Sequence, residues 1–350
     1  MTHALPQPAA PSMPAQLEYC CPLCKGDLTS SVDSYSCAAC AKTYPIVWGI
    51  PDFRVFPDPY ISIEDDHRKG LRVAEHYNDR DFKGLAEFYW SITPDTPDHL
   101  VKRYMRYDLA GVERGRAALD GIARAVPDLR AGAGCRAIEL GCRTGGFLVA
   151  LAERFEHAVG IDIAFRWLIV AKKRLEERGL SAQLVCCCAQ YLPFREKQFD
   201  LVVAANVIEH SQQQQQIIDD AHRVLRPKGV FHAITVSRFS AAPEPHVRLW
   251  GVGWLPRKWM AAYVRLRRGV PYDNVRLVSY FELRCMVRRS PFARCRLRPP
   301  AFGEGEQEGF SPMLRRMIGL YNAMRNWPLV RQFLLLFGPL LELICLRGDA

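Results

Sequence analysis

Short apolar runs recur through the middle of the chain at 136–140, 158–162, 183–187, 199–205 and 230–236, and each reads as a buried strand. Between the first two, Phe147, Leu148, Leu151 and Phe155 fall at helical spacing. The alternation predicts an α/β fold, a Rossmann-like doubly wound sheet of five parallel strands that binds ligands beyond the strands' carboxyl ends. Upstream, residues 61–125 alternate charged and aromatic positions, which predicts helices over Asp65–Tyr77, Phe82–Trp90 and His99–Arg124, broken at Pro94 and Pro97. Downstream, a helix is expected to end near Arg268, and Ser279-Tyr-Phe-Glu282 is a capping box that opens another. Near the end, Trp327–Leu346 is apolar, but Arg331, Glu342 and the Gly338-Pro339 break argue against a membrane span. A short amphipathic helix, then a final antiparallel strand Glu342–Leu346, is the expectation there, with a monotopic contact through 327–337 as the alternative.

Composition narrows the class. At 350 residues, 49% hydrophobic and 24% charged, the chain can bury one large core plus a small satellite domain, which excludes global disorder. Met1–Gln16 is rich in Pro and Ala without the charged and apolar regions of a signal peptide, so a flexible tail and a cytoplasmic location are expected. Positive charge is concentrated: Arg248–Arg298 holds 13 Arg and Lys against two acids, Asp273 and Glu282, a local balance of +11 beside +10 for the whole chain. Such a face favours anionic partners, whether phospholipid head groups, lipid-linked phosphates or RNA, and allows a peripheral position at the inner face of the membrane. Trp250, Trp254, Trp259 and Tyr263 within it suit a membrane interface, a sugar-binding wall or stacked bases.

Thirteen cysteines do not imply a disulfide framework, because four have metal-ligand spacing and Cys186, Cys187 and Cys188 are adjacent. Cys21-x₂-Cys24, twelve residues, then Cys37-x₂-Cys40 places two pairs of thiolates on tight turns, the closed tetrahedral set of a structural Zn²⁺. Cys20 is the competing register for the first ligand. Most of the remaining cysteines read as small buried hydrophobes.

The densest chemistry lies at Ala137-Ile-Glu-Leu-Gly-Cys-Arg-Thr-Gly-Gly-Phe147, a strand, a Gly-rich turn and a helix start, where backbone N–H groups and a positive helix end can meet a ligand. Seventeen positions after Gly145, Val159-Gly-Ile-Asp-Ile163 ends a second strand on Asp162, a carboxylate placed to accept ribose hydroxyls. With Cys188-Ala-Gln-Tyr-Leu-Pro-Phe194, Gln198–Val203, Asn206-Val-Ile-Glu-His210 and Arg223–Gly229 following in order, residues 134–237 resemble the class I S-adenosylmethionine-dependent methyltransferases of the type 11 kind. The resemblance implies S-adenosylmethionine as cofactor, with Glu139, Gly141 and Gly145 shaping the methionine side and Cys142 and Arg143 between them. Asp162 takes the ribose beside Ile163, Cys188, Ala189 and Gln190 border the adenine, and Asn206 and Val207 lie next to the methionine moiety.

The same resemblance puts Glu209 and His210 where the methyl group leaves, with His210 as base or substrate contact. Some quinone O-methyltransferases carry Glu-x-x-Glu-His here and bind a divalent ion; Asn206 replaces the first Glu, so that ion is not expected. Two positions depart from the family: Arg143 stands where the loop has its middle Gly, and Cys188 where an acid receives the adenine amino group. Both bear on cofactor affinity, and they leave a catalytically inactive scaffold as one alternative. Tyr44-Pro-Ile-Val-Trp-Gly-Ile-Pro-Asp-Phe53 resembles the end of small zinc-ribbon proteins that activate methyltransferases.

The expected organisation is a tail at 1–16, a zinc ribbon at 17–56, a helical lid or linker at 57–125, a cofactor-binding core at 126–240, a basic aromatic insertion at 241–290 and core-completing strands and helix at 291–350. Tyr77, Phe88, Tyr89 and Trp90 of the lid are candidates for substrate contact. O-methylation of a small-molecule, lipid or glycan precursor is the expected reaction, and RNA methylation the alternative.

Overall fold

A computed structural model describes residues 17–94, 96–303 and 311–349; the tail expected at Met1–Gln16 lies outside these described residues. The described chain opens on an antiparallel ribbon of β1 (Thr29–Ser30), β2 (Ser34–Cys37), β3 (Lys42–Val47) and β4 (Ile50–Pro51), in that spatial order. By contacts the chain divides into two compact units, Met1–Asp200 and Leu201–Ala350, the division falling inside one strand.

In the first unit, α1 (Ile63–Ala74) and α2 (Phe82–Ser91) start where Ser62 and Asp81 accept the N–H groups of Asp65 and Gly84, each satisfying one orphan donor of a helix start. The single helix expected over His99–Arg124 is instead two, α3 (Asp98–Leu109) and α4 (Gly111–Ala125), joined at Ala110. The cause is a close helix crossing. A Cβ on Gly115 would lie 2.7 Å from the Phe147 backbone, and one on Gly111 3.2 Å from Gly146, so α4 must turn to lay its glycines on the next helix.

Three strands follow, β5 (Gly132–Leu140), β6 (Phe155–Asp162) and β7 (Gln183–Cys186), separated by α5 (Gly146–Arg154) and α6 (Phe165–Glu176). They pair in parallel, with Ala137 opposite Ala158 and Ile161 opposite Val185. The first residues of β8 (Phe199–Ala205) join this unit at β5, where Asp200 accepts the N–H of Arg136 at 2.9 Å, giving the order β8-β5-β6-β7. Every residue from Ala137 to Leu140 except Glu139 is fully buried, as the continuous apolar runs of a two-sided parallel sheet require.

The ribbon is fastened to the edge of this sheet. Cys20 N–H donates to Pro193 O at 3.0 Å, Arg195 N–H to Glu18 O at 2.9 Å and Phe53 N–H to Cys186 O at 2.7 Å. Phe53 is fully buried, and the rings of Tyr19, Tyr35 and Tyr44 lie 5.0–5.3 Å from it. The edge of β7, which would otherwise present unpaired backbone groups, is thus covered.

The second unit runs from β8 through α7 (Gln214–Val224), β9 (Leu225–Val236), α8 (Arg257–Arg268), α9 (Tyr280–Arg289), β10 (Arg294–Arg298), α10 (Pro312–Met324), α11 (Pro328–Phe337) and β11 (Leu340–Leu346). Its strand order is β10-β11-β9-β8, and β11 runs antiparallel to both neighbours, as expected of the last strand. The Ser279 capping box forms as the spacing implies. Cys295 and Cys345, directly opposed on β10 and β11, are disulfide-bonded, a pairing not expected from the spacing, while Cys20, Cys135, Cys142, Cys186, Cys187 and Cys188 are buried outside any disulfide and Cys285 is exposed. Inside the sheet, burial raises the Glu342 carboxyl, but hydrogen bonds from His232 and Arg298 outweigh it and hold the group at about 2. The architecture is mixed α/β with a parallel-rich sheet, the class I methyltransferase fold.

Candidate active site

In the first unit, the turn after β5 closes over the end of β6. Cys142 N–H donates to Ile161 O at 2.8 Å, and Arg143 N–H donates to Asp162 Oδ2 at 2.7 Å. Asp162 Oδ1 accepts the N–H of Ala164 at 2.8 Å, so its carboxylate is aimed by two backbone donors while keeping lone pairs for a ligand. Gly141 and Gly145 take φ of 73°, and Arg143 takes 44°, left-handed values that a glycine would adopt without strain. Arg143 is therefore a strained residue at the centre of the turn.

Its side chain accounts for part of that position. The guanidinium lies 3.4 Å from Asp108 Oδ2 and sits over the Trp167 ring at 5.4 Å, and Thr144 Oγ1 donates to Asp108 Oδ1 at 3.1 Å. Asp108, buried on α3, thus ties the turn to the preceding helix. Asp108, Thr144 and Trp167 were missed by sequence reasoning, since their only signal is contacts across 24 to 36 residues that spacing cannot show.

Two buried carboxyls line the turn. Burial, then the charge of Asp162, pushes the Glu139 carboxyl well above the usual range, and Glu139 Oε2 is buried with no hydrogen-bond partner. Burial also raises Asp162, against the pull of the Ala164 and Arg143 N–H groups. An orphaned acid oxygen beside a second buried carboxylate fits a ligand that carries donors and positive charge.

On the adenine side expected for Cys188, Ala189 and Gln190, the Cys188 thiol points at Phe56 O, 3.7 Å away, and burial raises its pKa. Ile163 O accepts from Arg54 Nη1 at 3.2 Å. Arg54 belongs to a buried ionic cluster in which Asp66, fully buried, accepts from Arg54 at 2.7 Å, Arg166 Nη1 at 2.6 Å and the Phe165 N–H at 2.8 Å. Asp58 and Asp52 complete it through Arg166 and Arg54. A carboxylate from α1 therefore caps α6, the helix that follows Asp162.

The lid aromatics are chiefly packing. Tyr77 and Tyr89 are buried, Tyr89 against Trp167 at 4.0 Å, and Trp90 stacks on Tyr104 at 5.3 Å. Phe88 packs on His76 at 4.2 Å.

In the second unit, Asn206 and Val207 follow β8, with Asn206 exposed at φ 55° and its N–H bonded to Ile234 O at 2.8 Å. A single helical turn, Ile208–His210, then leaves Glu209 buried and His210 exposed. Glu209 Oε2 accepts from Thr235 Oγ1 at 2.8 Å. His210 Nε2 lies 3.3 Å from His246 Nε2, and His246 Nδ1 is hydrogen-bonded to the buried carboxylate of Glu244. Burial lowers His246, but the bond and charge of Glu244 prevail and raise it. Sequence reasoning missed Glu244 and His246, whose sole signal is an acid and a histidine two residues apart. Ligand atoms of Glu209, His210 and His246 lie within 4.8 Å of one another, a grouping that could also hold a divalent cation without a carboxylate at 206.

In the ribbon, the sulfurs of Cys21 and Cys40 are 3.9 Å apart and those of Cys24 and Cys37 3.6 Å. Tetrahedral Zn–S bonds of about 2.3 Å require sulfurs roughly 3.8 Å apart, so the four meet as one metal's ligands would. Cys20 is excluded from that set, because its thiol is fully buried and donates to Phe194 O at 3.1 Å.

Residues 138–233 match the family described as "Methyltransferase domain". A ubiquinone biosynthesis O-methyltransferase of Methylobacterium sp. (strain 4-46) is 32% identical over 127 residues, 36% of this chain and 51% of that protein. A demethylmenaquinone methyltransferase of Lactobacillus johnsonii is 28% identical over 131 residues, 36% of this chain and 51% of that one. The chain spans about half the length of the curated relatives it matches. Among solved structures, an S-adenosylmethionine dependent methyltransferase from Mesorhizobium loti shares 18% identity at a TM-score of 0.44, covering 66% of this chain and 98% of that one.

Proposed function

We propose, from the methyltransferase domain at residues 138–233, that this chain transfers a methyl group from S-adenosylmethionine to a hydroxyl of a small-molecule, lipid or glycan precursor. The observation that carries the reading is the bond from Arg143 N–H to Asp162, which joins the Gly-rich turn to the acid at the end of the next strand inside the matched domain. When bound, S-adenosylmethionine supplies a cationic, electrophilic methyl sulfonium. Asp162 would receive the ribose hydroxyls, and the Glu139 oxygen, buried without a partner, would accept from the cofactor's donors. Ubiquinone-pathway relatives that are O-methyltransferases by name support a hydroxyl acceptor.

The proton of that hydroxyl goes to His210. With Glu244 accepting, His246 Nδ1 carries a hydrogen toward it, and in the neutral tautomer His246 Nε2 is left as acceptor. In that tautomer His210 Nε2 donates to His246. The charge gained on protonation is stabilised through His246 by Glu244, the arrangement of an oriented general base. His246 and Glu244 act as positioning residues. In the ribbon, Cys21, Cys24, Cys37 and Cys40 would hold a structural Zn²⁺ as a closed set of four thiolates.

Purified protein with methyl-labelled S-adenosylmethionine, offered the lipid, small-molecule and RNA fractions of a strain lacking the gene, tests the reading. Label enters the organic-soluble fraction, and His210→Asn lowers kcat by about 10²–10⁴-fold with cofactor affinity unchanged. His246→Gln shifts the acid limb of the pH–rate profile as well as lowering kcat, which a merely structural residue would not do. Label confined to RNA, or a His210→Asn variant of undiminished kcat, contradicts it.

A further inference from the structure

We infer that α10 and α11 form a docking face for an anionic phospholipid surface. The helix α10 is oriented contrary to the usual amphipathic rule, in which the apolar stripe faces the core. Its polar side is what fastens it: Tyr321 Oη donates to Pro300 O at 2.9 Å, Asn322 Nδ2 to Phe302 O at 2.8 Å and Arg325 Nη1 to Pro299 O at 2.8 Å. Met313, Met317 and Leu320, at helical spacing on the other side, are 74%, 57% and 62% exposed, and no residue of α10 is buried. In α11, Leu335 is buried and anchors the helix, while Leu329 and Phe333 one turn apart are 87% and 55% exposed, and Trp327 at its start is 58% exposed.

Charge selects the occupant. From Ser311 to Phe337 there is no Asp or Glu, and the exposed Arg316 and Arg331 stand among the apolar residues. A second copy offering the same face would set these arginines against one another. An anionic lipid surface accepts both parts, methionine, leucine and phenylalanine into the acyl boundary and arginine among phosphates, with Trp327 at head-group level. No helix among the described residues is long and apolar enough to cross a membrane, so the contact lies in the interface plane. The sequence pattern alone points to 327–337; the structure adds α10, whose exposed stripe is visible only once its anchors are placed. The inference does not depend on the catalytic reading.

Co-sedimentation of the full chain with vesicles, phosphatidylglycerol mixed with phosphatidylcholine against phosphatidylcholine alone, tests it. Binding is expected to the mixed vesicles and to weaken as salt rises. The double variant Met317→Asp/Leu320→Asp, and separately Arg316→Glu/Arg331→Glu, each weaken it at least tenfold with the melting curve unchanged, since all four side chains are exposed. Equal binding to neutral vesicles, no sedimentation, unchanged binding by both variants, or a concentration-dependent dimer abolished by the Met317/Leu320 variant would each overturn it.

Discussion

Chelating the structural metal proposed for Cys21, Cys24, Cys37 and Cys40 is expected to unfold the ribbon and lower the melting temperature of the whole protein by roughly 10 °C or more. Structural zinc contributes about 10–16 kcal/mol to a small site, against about 5–15 kcal/mol of stability for an entire domain. Within the ribbon itself little else joins the strands: β1 and β4 are two residues long, and β1 is fully on the surface. Its loss is felt further in, because Phe53 and Tyr19 pack against the sheet edge and the Phe53 N–H is the partner of Cys186 O. Cys37→Ser reproduces the effect of the chelator, whereas Cys20→Ser, outside the ligand set, leaves metal content at one equivalent. Elemental analysis with calorimetric melting before and after chelation checks both, and a melting curve indifferent to chelator contradicts the metal's role.

Asp66→Ala destabilises the first unit by about 3–5 kcal/mol, the cost of removing one partner from a buried ionic cluster. The carboxylate is fully buried, pairs with Arg54 and Arg166, and accepts the first N–H groups of α6, whose own cap residue Ala164 offers no side-chain bond. Truncation leaves two buried guanidinium groups short of charge and a helix start unsatisfied. Asp66→Asn keeps the shape and an acceptor oxygen and costs less. Because α6 begins just after Asp162, cofactor affinity is expected to fall with Asp66→Ala even at temperatures where the protein stays folded. Urea unfolding of the two variants measures the difference, and a loss under 1 kcal/mol for Asp66→Ala would show the cluster to be solvated.

What was legible in the chain is what local chemistry writes. Apolar runs gave the strands to within a few residues, exact at Phe199–Ala205, and the spacing of four cysteines brought them to one centre. Ser279 and Glu282 announced a helix start because a capping box lies within four residues. Asp66, 99 residues from Phe165, and Asp108, 36 from Thr144, leave no such trace. The break at Ala110 depended on which helix the Gly111 and Gly115 face would meet. Arg143 was visible as a departure from Gly, but its left-handed backbone and its turn toward Asp108 and Trp167 required the neighbours to be in place. His210 was readable in its motif, whereas the histidine behind it, 36 residues on, was not.

Isothermal titration of the native, metal-replete protein with S-adenosylmethionine and S-adenosylhomocysteine bears most directly on whether the strand-end acid and the turn it anchors form a nucleoside site. Saturable one-to-one binding is expected, weakened by about tenfold to a hundredfold in Asp162→Asn, as the loss of charge-assisted bonds to a ribose predicts. Absence of heat and of any thermal shift with either ligand, in protein that melts cooperatively, would contradict the site and leave the fold without its cofactor.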